Sequence, residues 1–153
     1  MQDFVHLHVH TQYSLLDGQA SVARLVDKAM KNGMKGIAVT DHGNMFGIKE
    51  FTNYVNKKNS GPKGEVKDLK KRIAGIEAGT IECEDKEAEI AACKAKIVEA
   101  ENKLFKPIIG CEMYVARRTM DLKEGKPDQS GYHLIVLAKN ETGYHNLIKL
   151  VSH

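Results

Sequence analysis

Hydrophobic and polar residues alternate strictly near the start of the chain, in the stretch FVHLHVH. Residues two apart in a β-strand point to the same face. The alternation therefore predicts a strand over residues 4–10 with one apolar face and one face that carries three imidazoles: His6, His8 and His10.

The next segments have the periods of a helix and of a short buried strand. In SVARLVDKAMKNG the apolar residues recur at helical spacing, with Ser21 as the predicted N-cap and Gly33 as the predicted end. The run GIAVT predicts a buried strand that delivers Asp41 and His42 to a turn at Gly43. This alternation of strand and helix favours an α/β fold with a parallel sheet and polar residues gathered at the strand ends.

The middle of the chain, from about residue 57 to residue 105, is rich in Lys, Glu and Ala. We predict an antiparallel helical hairpin over residues 59–104, divided near Gly79 and Asp85. Its seam is predicted from a sparse apolar repeat: Val66, Leu69, Ile73, Ile76, Ile90, Cys93, Ile97, Ala100 and Leu104. Because each half has only about two heptads, the hairpin would gain from packing on a partner or on a second copy of itself.

The last third predicts two more strands and a helix. The strands are KPIIGCEMYVA and YHLIVLAK, and an amphipathic helix follows over residues 141–151. No linker composition precedes the end at His153, so we expect the natural protein to continue beyond it.

Composition narrows the class of protein. A hydrophobic content of 42% is ordinary for a globular domain, and no apolar run approaches the ~20 residues that cross a bilayer. The opening residues lack the layout of a secretory signal, so we expect a cytoplasmic protein without a membrane partner. Cys83, Cys93 and Cys111 form no CxxC pair, which predicts reduced thiols. A net charge of +3 with mixed signs argues neither for nor against nucleic acid as a partner.

The first candidate metal ligands are two histidines on one face of the first predicted strand. His8 and His10 would both reach one cation, although alternating histidines can also simply line a polar sheet face. Asp17 follows in the next loop, His42 follows the next strand, and Glu112 lies in a strand with no other evident use for a carboxylate. In a parallel sheet such positions converge on one rim, which favours a shared metal site.

Three further residues are assigned from the same pattern. We predict that His6 is a packing histidine or one that orients a ligand, rather than a metal ligand itself. Asp41 could orient an imidazole, cap a turn or bind a metal that carries substrate. His133 begins a strand whose side chains alternate, and on its own it reads as a core histidine.

The ligand types predict the metal and the chemistry. Mixed imidazole and carboxylate ligands suit Zn, Mn or Fe better than Ca or Mg, and several in one place indicate more than one metal. Close metals of this kind activate water and hold the oxygens of a phosphoester. The motifs GxSxG, GxxxxGK[ST] and GxGxxG are absent, so serine acyl transfer, P-loop nucleotide hydrolysis and Rossmann dinucleotide binding have no support.

Four stretches, in order, carry a family resemblance: FVHLHVHTQYSLLDG, TDHGNMFG, KPIIGCEMYVA and YHLIVLAKNETGYHNLIKL. Together they resemble the PHP (polymerase and histidinol phosphatase) domain at the amino end of bacterial DNA polymerase III α subunits. The resemblance implies part of a distorted (β/α)7 barrel with up to three divalent metals at its rim. It also raises His133 to a ligand, so the implied ligands are His8, His10, Asp17, His42, Glu112 and His133. The family's cysteine and later Asp-x-His pair would lie beyond His153.

The resemblance also implies function and partners. The whole protein would be a DNA-directed DNA polymerase that binds DNA and the other holoenzyme subunits, but the polymerase carboxylates are not in this chain. The PHP domain itself would be a metal-dependent phosphoesterase or a 3′–5′ proofreading exonuclease. The alternative is a metal-stabilised scaffold that braces the polymerase and docks a proofreading subunit. A free-standing histidinol-phosphate-type phosphatase is a third reading, against which LLDG and TDHGNMFG count. Residues 59–104 look like an insertion specific to some relatives.

Overall fold

The computed structural model describes residues 4–153 and divides the chain into two compact units. The first comprises residues 4–54 with Lys106–His153, and the second is Val55–Phe105. The helices and strands, in chain order, are α1 (Val22–Lys31), β1 (Gly36–Val39), α2 (Ile48–Lys58), α3 (Ser60–Glu77), α4 (Lys86–Asn102), β2 (Lys106–Val115), β3 (Tyr132–Leu137) and α5 (Glu141–Val151). A 3-10 turn, Lys126–Asp128, precedes β3.

Helix α1 forms for the reasons that its sequence predicts. The Ser21 side chain caps it by accepting from the backbone N–H of Arg24. Its buried face carries Val22, Val26 and Ala29. The chain leaves the helix through Gly33, whose φ of 76° belongs to the left-handed region that favours glycine. The prediction of this helix is therefore confirmed.

Within residues 4–153 the sheet has three strands, in the order β1-β2-β3. Strands β1 and β2 are parallel, in register from Gly36 opposite Lys106 to Val39 opposite Ile109. Strand β3 instead runs antiparallel to β2, so the predicted parallel sheet is right for the first pair and wrong for the second. A parallel pair needs a crossover, usually a helix, whereas residues 116–131 hold only the short 3-10 turn before β3.

Residues 4–10 run beside β1 but do not form the predicted regular strand. The backbone N–H of Ala38 donates to His6 O and that of Thr40 donates to Val9 O, both at 2.9 Å. Between these two bonds the amino-terminal segment has one residue more than β1. The extra residue breaks the two-residue alternation, as in a β-bulge, and the chain bends at Leu7.

The core of the first unit includes β1, all of whose residues are buried. Val22 and Val26 of α1 and Phe51 of α2 are fully buried, and Leu147 of α5 is 1% exposed. Removing a side chain of this size from water stabilises the fold by about 1.5–3 kcal/mol. This packing fixes the carboxyl end of β1, where Asp41 and His42 follow.

The second unit contains α3 and α4, which lie against each other. Asp85 caps α4 by accepting from the N–H of Ala88 at 3.0 Å, and Arg72 of α3 pairs with Glu89 of α4 at 2.7 Å. The apolar positions predicted for a seam are all buried or half-buried. Asn59 joins the two ends of the unit through two hydrogen bonds to the backbone of Phe105, at 2.8 and 2.9 Å.

None of the helices in residues 4–153 combines the length and the apolarity that a bilayer crossing requires.

Candidate metal centre

A carboxylate on β2 collects two imidazoles from the amino-terminal segment. The Nε2 atoms of His8 and His10 each lie 2.7 Å from Glu112 Oε2, and they are 3.2 Å from each other. Glu112 is only 3% exposed. These three residues form one group whose ligand atoms are close enough to share a cation.

The other oxygen of the same carboxylate contacts a third imidazole. Glu112 Oε1 contacts His133 Nδ1 of β3, and the ring of His133 lies 5.2 Å from that of His42. His42, Glu112 and His133 form a second group in which one ligand atom from each lies within 4.8 Å of the others. Glu112 therefore belongs to both groups, and its carboxylate could hold a cation together with the imidazoles of either group.

Asp17 lies behind two of these imidazoles. Its two carboxylate oxygens are 3.0 Å from His10 Nδ1 and from His42 Nδ1, respectively. Asp17 is in neither of the two groups, and its contacts are those of a carboxylate that fixes the orientation and tautomer of a ligand histidine. The hydrogen bond from Ser14, followed by that from His42, lowers the pKa of Asp17 to about 2.

Opposing effects set the ionisation of Glu112. Burial raises the pKa of this carboxyl, but the hydrogen bonds from His8 and His10, with the charges of His10 and His133, outweigh burial and leave the pKa below its ordinary value. The carboxylate therefore stays ionised at neutral pH, as a metal ligand must.

The predicted site residues come together because the fold brings the ends of their segments close to one another. His42 follows β1 and forms an isolated parallel bridge with Glu112, while β3 brings His133 opposite Tyr114. The loop with Asp17 is fixed by Ser14, whose hydroxyl accepts from His42 N at 3.0 Å. The side chains predicted as ligands thus share one region: His8, His10, Asp17, His42, Glu112 and His133.

Asp41 accepts hydrogen bonds from Thr11, the residue that follows the candidate ligand His10, and so fixes the backbone at this point. It is 1% exposed and accepts from the N–H of Thr11 at 2.6 Å and from its hydroxyl at 2.9 Å. Burial raises the pKa of Asp41, although both bonds from Thr11 oppose that shift. Since Thr11 follows His10, Asp41 positions this candidate ligand through the main chain.

His6 belongs to neither group of possible metal ligands, and its contacts are those of a packing histidine. It packs edge-on against Phe4, with ring centroids 4.7 Å apart, and it lines a small pocket with Leu25 and Ile37. Val9 lines the same pocket although strict alternation would place it on the opposite face. The extra residue in this segment is the physical reason, since it turns His6 away from His8 and His10.

Sequence reasoning missed Tyr114. Its hydroxyl lies 2.6 Å from His42 Nε2, and its ring packs at 4.7 Å from that of His133. The signal was available, because Tyr114 is two residues after Glu112 on a strand and so points to the same side.

Comparison with known proteins identifies the family. The model of the PHP domain family matches residues 6–97 and 88–153. The chain belongs to the PHP domain family. Its similarity extends to DNA polymerase III subunit alpha of Borreliella burgdorferi, which is 41% identical over 152 residues that cover 97% of this chain and 9% of that protein. The same subunit of Treponema pallidum is 40% identical over 150 residues, with 97% and 9% covered.

A third relative, DNA polymerase III subunit alpha of Aquifex aeolicus, is 32% identical over 155 residues that cover 97% of this chain and 10% of that protein. The PHP chain thus spans about a tenth of the length of the curated relatives that it matches.

The donor atoms of this PHP domain fit a divalent cation. Ligands about 2.1 Å from a tetrahedral metal lie about 3.4 Å from one another. The separation of His8 Nε2 and His10 Nε2 is 3.2 Å, and each lies 2.7 Å from Glu112 Oε2. A shift of under about 1 Å would open the group around an ion of this size.

Proposed function

We propose that this PHP domain is the metal-binding amino-terminal part of a bacterial DNA polymerase III α subunit and that it hydrolyses phosphoester bonds. The substrate that we propose is the 3′ end of a mispaired primer. The domain would then act as a 3′–5′ exonuclease, and a separate part of the protein would hold the polymerase active site. The observation that carries the proposal is the sharing of Glu112 by two groups of imidazoles. Two close cations are what phosphodiester hydrolysis uses.

The metal ligands in this proposal are His8, His10, His42, Glu112 and His133, and Asp17, which the family resemblance implies as a sixth ligand, orients two of them. Bound Zn, Mn or Fe ions, up to three in the complete domain, would supply an activated water and neutralise charge on the phosphoryl oxygens. The chain's own residues hold the site in shape. Asp17 fixes the rings of His10 and His42, and Asp41 fixes Thr11. The complete domain would close as a (β/α)7 barrel.

A scaffold is the second candidate function, and the spread of the cluster along the chain favours it. Contacts among His10, Asp17, His42, Glu112 and His133 join five separate segments. A cation bound there would brace the domain without turnover. Such a scaffold would support the polymerase and dock a separate proofreading subunit.

Residues 59–104 are proposed as a helical hairpin inserted into the PHP domain. One observation supports this: Val55–Phe105 is a compact unit of its own. Self-association of this unit, a cytoplasmic location, and partnership with DNA and the other holoenzyme subunits belong to the same proposal.

The test combines metal content with turnover in the intact protein. Wild-type protein is expected to retain divalent metal and to shorten a primer with a 3′ mismatch. His8→Ala and His10→Ala should each lower metal affinity about tenfold or more, because each removes a ligand. His145→Ala is the matched control, since His145 is 62% exposed on α5 and pairs only loosely with Glu141 at 3.9 Å.

The outcomes separate the two functions. Bound metal with primer hydrolysis that falls in His10→Ala supports the exonuclease, and bound metal without hydrolysis supports the scaffold. Wild-type metal content in both the His8 and His10 variants would refute the site itself.

A further inference from the structure

The side chain of Tyr114 occupies a position in the cluster that no ligand assignment uses. It follows Glu112 by two residues on β2, so both side chains share a face of the strand. Its ring lies between two candidate ligands, 5.0 Å from the ring of His42 and 4.7 Å from that of His133. These contacts hold the phenol in one orientation.

The direction of its hydrogen bond follows from the position of Asp17. Asp17 Oδ2 lies 3.0 Å from His42 Nδ1, the arrangement in which this ring nitrogen donates to the carboxylate and leaves the lone pair of the ring on Nε2. His42 Nε2 is 2.6 Å from the hydroxyl of Tyr114, so the phenol is the donor to it.

A cation bound to His42 through Nε2 needs the same lone pair that Tyr114 uses. One lone pair cannot serve both, so metal binding leaves the hydroxyl without its acceptor. The phenol is open to solvent, with Tyr114 55% exposed whereas Glu112 is 3% exposed. An oxygen from solution can therefore reach it, beside cations that attract negative charge.

From this geometry we infer that Tyr114 is a substrate-positioning residue: with metal bound, its hydroxyl donates a hydrogen bond to a non-bridging phosphoryl oxygen. The inference rests on the proposed phosphoesterase function and deepens it. The step is a hydrogen bond only, with no proton transferred and no covalent bond formed. It would hold the phosphoryl group in one orientation, and a hydrogen bond to a charged acceptor is about twice as strong as a neutral one.

Tyr114→Phe removes the hydroxyl and keeps the ring between His42 and His133. The matched control is Tyr132→Phe. Tyr132 lies on β3 opposite Val115 of β2 and is 62% exposed, and the substitution removes only its hydroxyl. Phenylalanine there also keeps a ring for Arg117, whose guanidinium lies 5.4 Å from the Tyr132 centroid.

The measurement is the binding of inorganic phosphate to the intact, Mn²⁺-loaded protein, followed by the phosphorus NMR relaxation that bound Mn²⁺ causes. Tyr114→Phe is expected to weaken phosphate binding about tenfold, as loss of a hydrogen bond to a charged group does, while Tyr132→Phe binds as wild type. The Mn²⁺ affinity of Tyr114→Phe should be at least that of wild type, because the phenol is not a metal ligand and its hydrogen bond to His42 Nε2 competes with the metal.

Four results would overturn the inference, and the last of them would also overturn the proposed function. Equal phosphate affinity in Tyr114→Phe and wild type would mean that the hydroxyl does not contact phosphate. A parallel fall in Mn²⁺ affinity would mean that Tyr114 positions His42 instead. Wild-type protein that binds Mn²⁺ but not phosphate would also reject it. If the wild-type protein binds no metal, the proposed function fails together with the inference.

Discussion

Replacing Asp41 tests whether the buried carboxylate holds the amino-terminal segment in place. Thr11 is 0% exposed, and its N–H and hydroxyl both donate to Asp41. Asp41→Ala leaves two buried donors without a partner, at a cost of about 1–3 kcal/mol each. The segment beside β1 should therefore lose roughly 2–6 kcal/mol of stability. Since Thr11 follows His10, metal affinity should also fall about tenfold.

Asp41→Asn separates the charge from the hydrogen bonds. The amide oxygen can still accept from the N–H of Thr11, and the hydroxyl can rotate to accept from the new amide. Burial raises the pKa of Asp41, so the charged carboxylate is disfavoured at this position and the neutral amide avoids that cost. We expect Asp41→Asn to lie within about 1 kcal/mol of wild type.

Hydrogen exchange in the intact protein is the assay, because it reports the free energy of local opening around β1. Asp121→Ala is the control, since Asp121 is exposed in the loop after β2. The reasoning is refuted if β1 amides in Asp41→Ala exchange at the wild-type rate, or if Asp41→Asn is as destabilised as Asp41→Ala.

Two further predictions concern the helical unit and acid stability. Asn59→Ala removes both hydrogen bonds to Phe105 and should destabilise α3 and α4 by roughly 2–4 kcal/mol, measured by hydrogen exchange against the exposed Ser60→Ala. Wild-type exchange in both helices would contradict it. The pKa of Asp17 falls from 3.8 to about 2 on folding, so its stabilisation is complete above the unfolded pKa and is lost as pH falls through the folded pKa. Ser14→Ala should therefore move acid destabilisation to higher pH, and an unchanged acid titration of hydrogen exchange would contradict this role of Ser14.

The sequence predicts elements well where a single period and its end signals agree. Ser21 and Gly33 bound α1 as predicted, and the last helix, α5, is Glu141–Val151, the range that the sequence indicates. It fails where tertiary pairing decides. The alternation in FVHLHVH cannot report the extra residue between the bonds of His6 and Val9 to β1, and that residue displaces His6.

That the candidate ligands lie close together could be predicted, because residues at the ends of parallel strands meet at one edge of a sheet. The separate role of each residue could not. Asp17 and Glu112 are both acidic residues near strand ends, and the sequence gives no reason to treat them differently. In the structure Glu112 is buried between imidazoles, whereas Asp17 is 41% exposed and contacts two rings from behind. Burial and register separate their roles, and both are properties of the fold.

Substrate access separates the hydrolase from the scaffold. A structural metal site is closed by protein ligands, whereas a catalytic site keeps a position open for substrate. Phosphate binding that depends on Tyr114 would demonstrate such a position, and it would therefore separate the two functions where metal content cannot.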